Sequence, residues 1–145
     1  MEVTPYLKPL TPESKSCLGT NLIRLYPLPF RVGRESRTHF MKGFMNSKRK
    51  SNTPPNNELY LPETNHRLNV SREHFLIEQR NEEFYLVDRG STCGTLVEGV
   101  RIGGDKKGGE LKLQDGDVII VGTSESPHSF KFILRKEDIS YIKAH

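Results

Sequence analysis

The chain has 145 residues, 34% apolar and 28% charged, with five histidines, two cysteines and no tryptophan. That size suits one domain with its own core, and its longest aliphatic run, Val118-Ile119-Ile120-Val121, is far short of the roughly 18 apolar residues of a membrane helix. The net charge of +4 is concentrated: residues 31–50 hold seven basic residues against Glu35 alone, a local charge of +6 that is expected to attract an anion.

In chain order, the first 19 residues read as an N-terminal strand or extension. Leu22-Ile23-Arg24-Leu25-Tyr26 and Phe30-Arg31-Val32-Gly33-Arg34 are short strands on either side of a turn containing Pro27 and Pro29. Residues 36–68 are expected to be a long irregular loop. Ser51-Asn52-Thr53-Pro54-Pro55-Asn56-Asn57 continues neither a helix nor a central strand, and Leu59-Tyr60-Leu61 is one short strand inside the loop. His74–Gln79 and Phe84–Asp88, separated by Arg80-Asn81-Glu82-Glu83, predict a hairpin. Gly90 to Gly94 is a turn, followed by the short strands Thr95-Leu96-Val97 and Val100-Arg101-Ile102. Gly103 to Gly109 is a flexible connection, Leu111-Lys112-Leu113 alternates, and Asp115-Gly116 predicts a hairpin turn.

Val118 to Val121, apolar on both faces, predicts a central strand, and Phe130–Leu134 places both phenylalanines on one face. A helical pattern is visible only over Glu137 to Ala144, in the tail 136–145. Strands at this spacing predict an all-β sandwich or barrel occupying residues 20–135.

Enzyme templates fit poorly. Ser71 and His74, three apart on a strand, would point to opposite faces, and no acid is placed to orient the histidine. The glycines from 103 to 109 lack the Gly-Lys-Ser/Thr of a phosphate loop. His39, His66, His74, His128, His145, Cys17 and Cys93 show no metal-ligand spacing, so neither a metal nor a cofactor is expected. Two cysteines and no export signal at Met1-Glu2-Val3-Thr4-Pro5 predict free thiols in a reducing compartment: the cytoplasm, or the nucleus of a eukaryotic cell.

Three fragments, each where a strand meets a loop, fit a non-catalytic anion site: Phe30-Arg31-Val32-Gly33-Arg34, Val70-Ser71-Arg72-Glu73-His74-Phe75 and Asp88-Arg89-Gly90-Ser91-Thr92-Cys93-Gly94-Thr95. A guanidinium donates two parallel bonds to a phosphate, and hydroxyls and turn amides add short neutral donors. Gly33-Arg34, Ser71-Arg72-Glu73-His74, Gly94-Thr95 and Leu113-Gln114-Asp115-Gly116-Asp117-Val118-Ile119 with Val121-Gly122, in that order, resemble the forkhead-associated (FHA) domain family over roughly residues 20–135.

The resemblance implies a β-sandwich of about eleven strands that binds phosphothreonine peptides through loops at one end, without enzymatic activity. It implies that Arg34 is the main phosphate arginine, that Ser71 bonds the phosphate through its hydroxyl, and that Arg72 makes a further phosphate or peptide contact. Thr92 would line the phosphate or threonine-methyl pocket. His74 would brace the loops, and Gly33, Gly94 and Thr95 would shape them. The implied partner is a phosphothreonine-bearing substrate of a Ser/Thr kinase, with neither nucleic acid nor membrane involved.

Two departures stand out. Cys93 occupies the place where the family usually has the asparagine that fixes the peptide backbone, and a thiol is a poor hydrogen-bonding group. The 36–68 segment is long, and its Lys48-Arg49-Lys50 cluster would extend the anionic footprint. Two rivals follow: a phosphate-independent interaction domain with a degenerate site, which Cys93 favours, and a nucleic-acid binder working through the basic 31–50 segment. Thr4-Pro5 and Thr11-Pro12 are candidate phosphorylation sites for binding in cis or to a second copy.

Overall fold

Period-two alternation of apolar and polar residues dominates the second half of the chain, and it folds as strands. The computed structural model describes residues 2–35, 57–62 and 69–137. They form β1 (Glu2–Pro9), α1 (Pro12–Leu18), β2 (Ile23–Arg24), β3 (Phe30–Arg34), β4 (Leu59–Leu61), β5 (Phe75–Arg80), β6 (Glu83–Asp88), β7 (Thr95–Val97), β8 (Val100–Ile102), β9 (Gly109–Leu113), β10 (Val118–Val121) and β11 (Ser129–Glu137). One sheet has the order β2-β1-β11-β10-β7-β8, the other β4-β3-β5-β6-β9. This is the all-β sandwich of eleven strands that the sequence predicts.

The core lies between the sheets. Phe130 and Phe132 of β11 are fully buried together with Phe75 and Ile77 of β5 and Leu86 of β6. The rings of Phe84 and Phe132 meet across the sandwich with centroids 5.8 Å apart. Each such side chain stabilises the fold by about 1.5–3 kcal/mol. In the interior strand β10, Ile119 and Val121 face this core, while Val118 and Ile120 are half-buried on the other side.

Three local expectations are corrected. The β5–β6 turn is tighter than predicted: Arg80 pairs with Glu83, and only Asn81, at φ 59°, and Glu82 lie outside the ladder. Asp115-Gly116 is a tight turn but not a hairpin. It carries the chain from β9 in one sheet to β10 in the other, and bonds from Gly116 N to Phe132 O (2.7 Å) and from Leu134 N to Asp115 Oδ1 (2.8 Å) tie it to β11. An Asp-Gly pair fixes the positive φ of the turn, not which strands pair beyond it.

A helix also forms where none was expected. Thr11 caps it by accepting from Ser14 N at 3.0 Å, Pro12 opens it, and Gly19 ends it at φ 71°. The two proline-directed threonines differ in their surroundings. Thr4 is buried within β1, and the Thr11 hydroxyl caps the helix and donates to Pro127 O. The helical pattern over 137–144 lies outside the described residues, apart from Glu137, which closes β11.

β1 pairs with β11 along its whole length and lies between β11 and β2. β3 and β4 run parallel, which requires roughly a dozen or more residues of crossover, and residues 35–58 supply that length. β3 also pairs antiparallel with β5, and β5 with β6. The end of β3, the start of β5 and the end of β6 therefore meet at one end of the sandwich.

Candidate functional site

Arg34 ends β3, and its backbone N–H donates to Ser71 O at 2.9 Å. One step back, His74 N donates to Val32 O at 3.0 Å, so residues 71–74 lie along the end of β3. Gly33 makes this approach possible: a Cβ there would sit 2.0 Å from Arg72 O.

His74 locks the segment to the next turn. Fully buried, it accepts from Ser71 N at Nδ1 (2.9 Å) and donates from Nε2 to Gly94 O (2.7 Å). An accepting Nδ1 and a donating Nε2 define the neutral tautomer. Burial pushes its pKa below the ordinary value, against the opposing pull of Gly94 O and Asp88. The expectation that Ser71 and His74 occupy one strand is corrected. Ser71 lies in the turn before β5, and the imidazole folds back onto the Ser71 amide rather than its hydroxyl. The hydroxyl instead accepts from Thr92 N at 3.0 Å.

The 90–94 turn is organised from beneath by Asp88. This buried carboxylate accepts from Gly90 N (2.8 Å), Ser91 N (3.0 Å) and the Ser91 hydroxyl, and Ser91 Oγ in turn accepts from Gly94 N (3.0 Å). Gly94 itself sits at φ 78°. The 103–109 connection is also fixed: Asp105 N donates to Thr92 O (2.8 Å) and Lys106 N to Ser91 O (2.9 Å).

These loops enclose a cavity of about 480 Å³ lined by Arg34, Ser71, Arg72, Glu73, Arg89, Gly90, Thr92 and Lys106. The structure thus brings Arg34, Ser71, Arg72 and Thr92 to one cleft. Arg34 is half-buried, with Nη1 3.3 Å from Val70 O, while Arg72 and Thr92 are exposed. Cys93 is half-buried beside Thr92 and does not line the cavity. Gly33, His74, Gly94 and Thr95 lie behind the lining, with Thr95 fully buried. Lys48, Arg49, Lys50, His39 and His66 lie outside the described residues.

Two lining cations carry no role in the sequence reading. Arg89 donates to Asn57 Oδ1, lies 3.5 Å from the Glu73 carboxylate, and is anchored through its backbone N–H to His74 O at 2.9 Å. Burial draws its pKa below the ordinary arginine value, with Glu73 opposing. Asn57 also donates to Arg72 O at 2.9 Å, joining the start of the β4 segment to the cleft wall. Lys106 arrives from a glycine-rich connection that carries no strand or motif signal. The lining holds four cations and one carboxylate, which suits a polyanionic ligand.

The FHA-domain model matches residues 30–122, from β3 to just past β10. No curated protein sequence matches the chain. Among solved structures, full-length yeast Pml1p superposes with a TM-score of 0.63 at 20% identity, over 92% of this chain and 83% of Pml1p. The FHA domain of an Arabidopsis thaliana hypothetical protein superposes with a TM-score of 0.62 at 20% identity, over 94% and 90% of the two chains. Mycobacterium tuberculosis EmbR, solved in complex with a low-affinity phosphopeptide, gives 0.56 at 20% identity; the match covers 93% of this chain but only 25% of EmbR. Identities at this level establish a shared fold.

Proposed function

The chain belongs to the FHA-domain family, whose members are interaction modules, and from that premise we propose that its cleft binds phosphothreonine peptides. The protein then acts without catalysis, docking a partner that a Ser/Thr kinase has marked. The observation that carries this reading is the convergence of Arg34, Ser71 and Thr92 on one cleft with a surplus of positive charge. Support also comes from EmbR, a protein of the same fold solved with a phosphopeptide.

In this reading the Arg34 guanidinium donates two parallel bonds to the phosphate. The Ser71 hydroxyl already accepts from Thr92 N, so its own hydrogen is left to donate to a phosphate oxygen. Arg72 adds a rim contact. Cys93 stands beside the bound peptide as a weak partner, so the peptide backbone is held less firmly there. Threonine is preferred over serine through packing of its γ-methyl group, an effect of about fivefold. The His74 bridge holds the Ser71 and Gly94 backbones in register, and so fixes the donors before ligand arrives.

Calorimetric titration with paired phosphorylated and unphosphorylated threonine peptides tests the proposal. Two charge-assisted bonds of about 1.5–3 kcal/mol each predict a preference of at least about 100-fold for the phosphorylated form. The preference weakens at high salt, and below about pH 6, where the phosphate gains its second proton. Equal affinity for the two peptides rejects the reading and selects a phosphate-independent interaction domain.

A further inference from the structure

The cleft offers more positive charge than one phosphate uses. Its lining has Arg34, Arg72, Arg89 and Lys106 against Glu73, a net charge of +3. A phosphothreonine brings about −1.5 to −2 at neutral pH, so at least about one positive charge is left over. Arg89 is already committed to Asn57 and Glu73. Lys106 is not: among the described residues no carboxylate pairs with its ammonium, and the adjacent Asp105 is directed 3.9 Å from Arg101 instead.

The backbone beneath Lys106 is also unusual. Asp105 and Lys106 are consecutive non-glycine residues at φ 54° and 61°, in the left-handed region. Side chains there are strained and persist only where surrounding contacts impose the conformation. The contacts are the two backbone bonds to Thr92 O and Ser91 O, which pin this turn to the one beside Ser71. A glycine-rich connection needing only to span two strands has no use for that strain. Here it keeps a lysine at the cleft wall.

We propose that Lys106 is a specificity residue for a second anionic group on the ligand, a carboxylate side chain or a second phosphate close in sequence to the phosphothreonine. The proposal rests on the phosphothreonine reading above and narrows it to one class of peptide. Arg34 and Ser71 hold the first phosphate from the β3 and β5 side of the cleft. Lys106, on the 103–109 connection, meets the second charge from the far side of the 90–94 turn.

The test is a calorimetric scan of an otherwise neutral phosphothreonine peptide. One alanine at a time on either side is replaced by glutamate or, in a parallel series, by phosphoserine. At one or two positions the added acid raises affinity about fivefold, equivalent to about 1 kcal/mol. In Lys106→Ala that gain, measured against the neutral parent peptide on the same variant, falls below about twofold. Lys106→Asn, which suits a left-handed backbone, behaves the same and separates loss of charge from loss of the turn. The two series identify which acid the site prefers. The inference is overturned if no position gives a gain, or if the gain survives both substitutions. Failure of the neutral phosphopeptide itself to bind overturns the phosphothreonine reading and this inference with it.

Discussion

Replacing Arg34 with alanine lowers affinity for a phosphothreonine peptide by at least about 100-fold and shifts the melting temperature by no more than about 2 °C. The asymmetry follows from what the side chain touches. Among the described residues its side chain makes a long hydrogen bond from Nη1 to Val70 O at 3.3 Å, and it stands in a cleft with three other cations. Removing it loses a weak bond and relieves repulsion, while the backbone bond from Arg34 N to Ser71 O remains. In the complex the same side chain makes charge-assisted bonds of about 1.5–3 kcal/mol each. Arg34→Lys keeps the charge without the fork and recovers only part of the affinity. Calorimetry beside thermal unfolding of the same preparations separates the two effects. Unchanged binding in Arg34→Ala places the ligand elsewhere on the sandwich.

His74→Ala has the opposite profile: its main cost is to the fold. The substitution leaves the Ser71 amide and the Gly94 carbonyl without partners and opens a void beside Phe75. Unpaired buried groups at about 1–3 kcal/mol, together with the lost packing, give a destabilisation of about 3–4 kcal/mol. At this chain length that lowers the melting temperature by roughly 10 °C. Phosphopeptide affinity falls as well, because Ser71 and the 90–94 turn are no longer held together. A melting temperature within about 3 °C of the parent contradicts the bracing role.

The same histidine makes stability depend on pH. Its folded pKa lies below the ordinary 6.5, so the unfolded chain takes up a proton before the folded one does. The stabilisation is full above about pH 6.5 and declines as the pH falls from there toward the folded value. Protonation puts a hydrogen on Nδ1, facing the Ser71 N–H, and breaks that bond. In His74→Ala this part of the acid sensitivity disappears, which is visible in melting temperatures without ligand.

The sequence exposes those parts of the fold that depend on neighbouring residues. Phe30–Arg34 and Leu59–Leu61 are strands with the predicted limits, and Phe130 and Phe132 face the core, because alternation and burial are local signals. The helix at Pro12–Leu18 also has local signals, Thr11-Pro12 at its start and Gly19 at its end. It is a single short element whose stability comes from docking: Ser14 Oγ accepts from Ser129 N at 2.9 Å, a contact between distant parts of the chain. The strand β1 carries Pro5 in its interior. Leu25 N donates to Pro5 O at 2.9 Å and Pro5 cannot donate in return, so the β1–β2 ladder is short while the β1–β11 ladder is complete.

The cleft divides along the same line. Arg34, Ser71, Arg72 and Thr92 are legible because they stand in short motifs whose order matches a family pattern. Arg89 lies within one of the quoted fragments, but its place in the cleft depends on Asn57 and Glu73, distant in sequence. Lys106 depends on backbone bonds to Ser91 and Thr92 that a run of glycines does not announce. Asp88 and Ser91 shape the central turn through an acid-to-amide network, a tertiary feature built from residues that read locally as ordinary turn formers.

The claim on which the account depends is that turns far apart along the chain form one receptor for a phosphoryl dianion. Backbone amide chemical shifts, followed by NMR as a phosphothreonine peptide is added, read this residue by residue. The account predicts the largest shifts at Arg34, at 71–73, at 90–94 and at 105–107, saturating together with one dissociation constant and absent with the unphosphorylated peptide. Shifts confined to another face of the sandwich, or identical for the two peptides, contradict it.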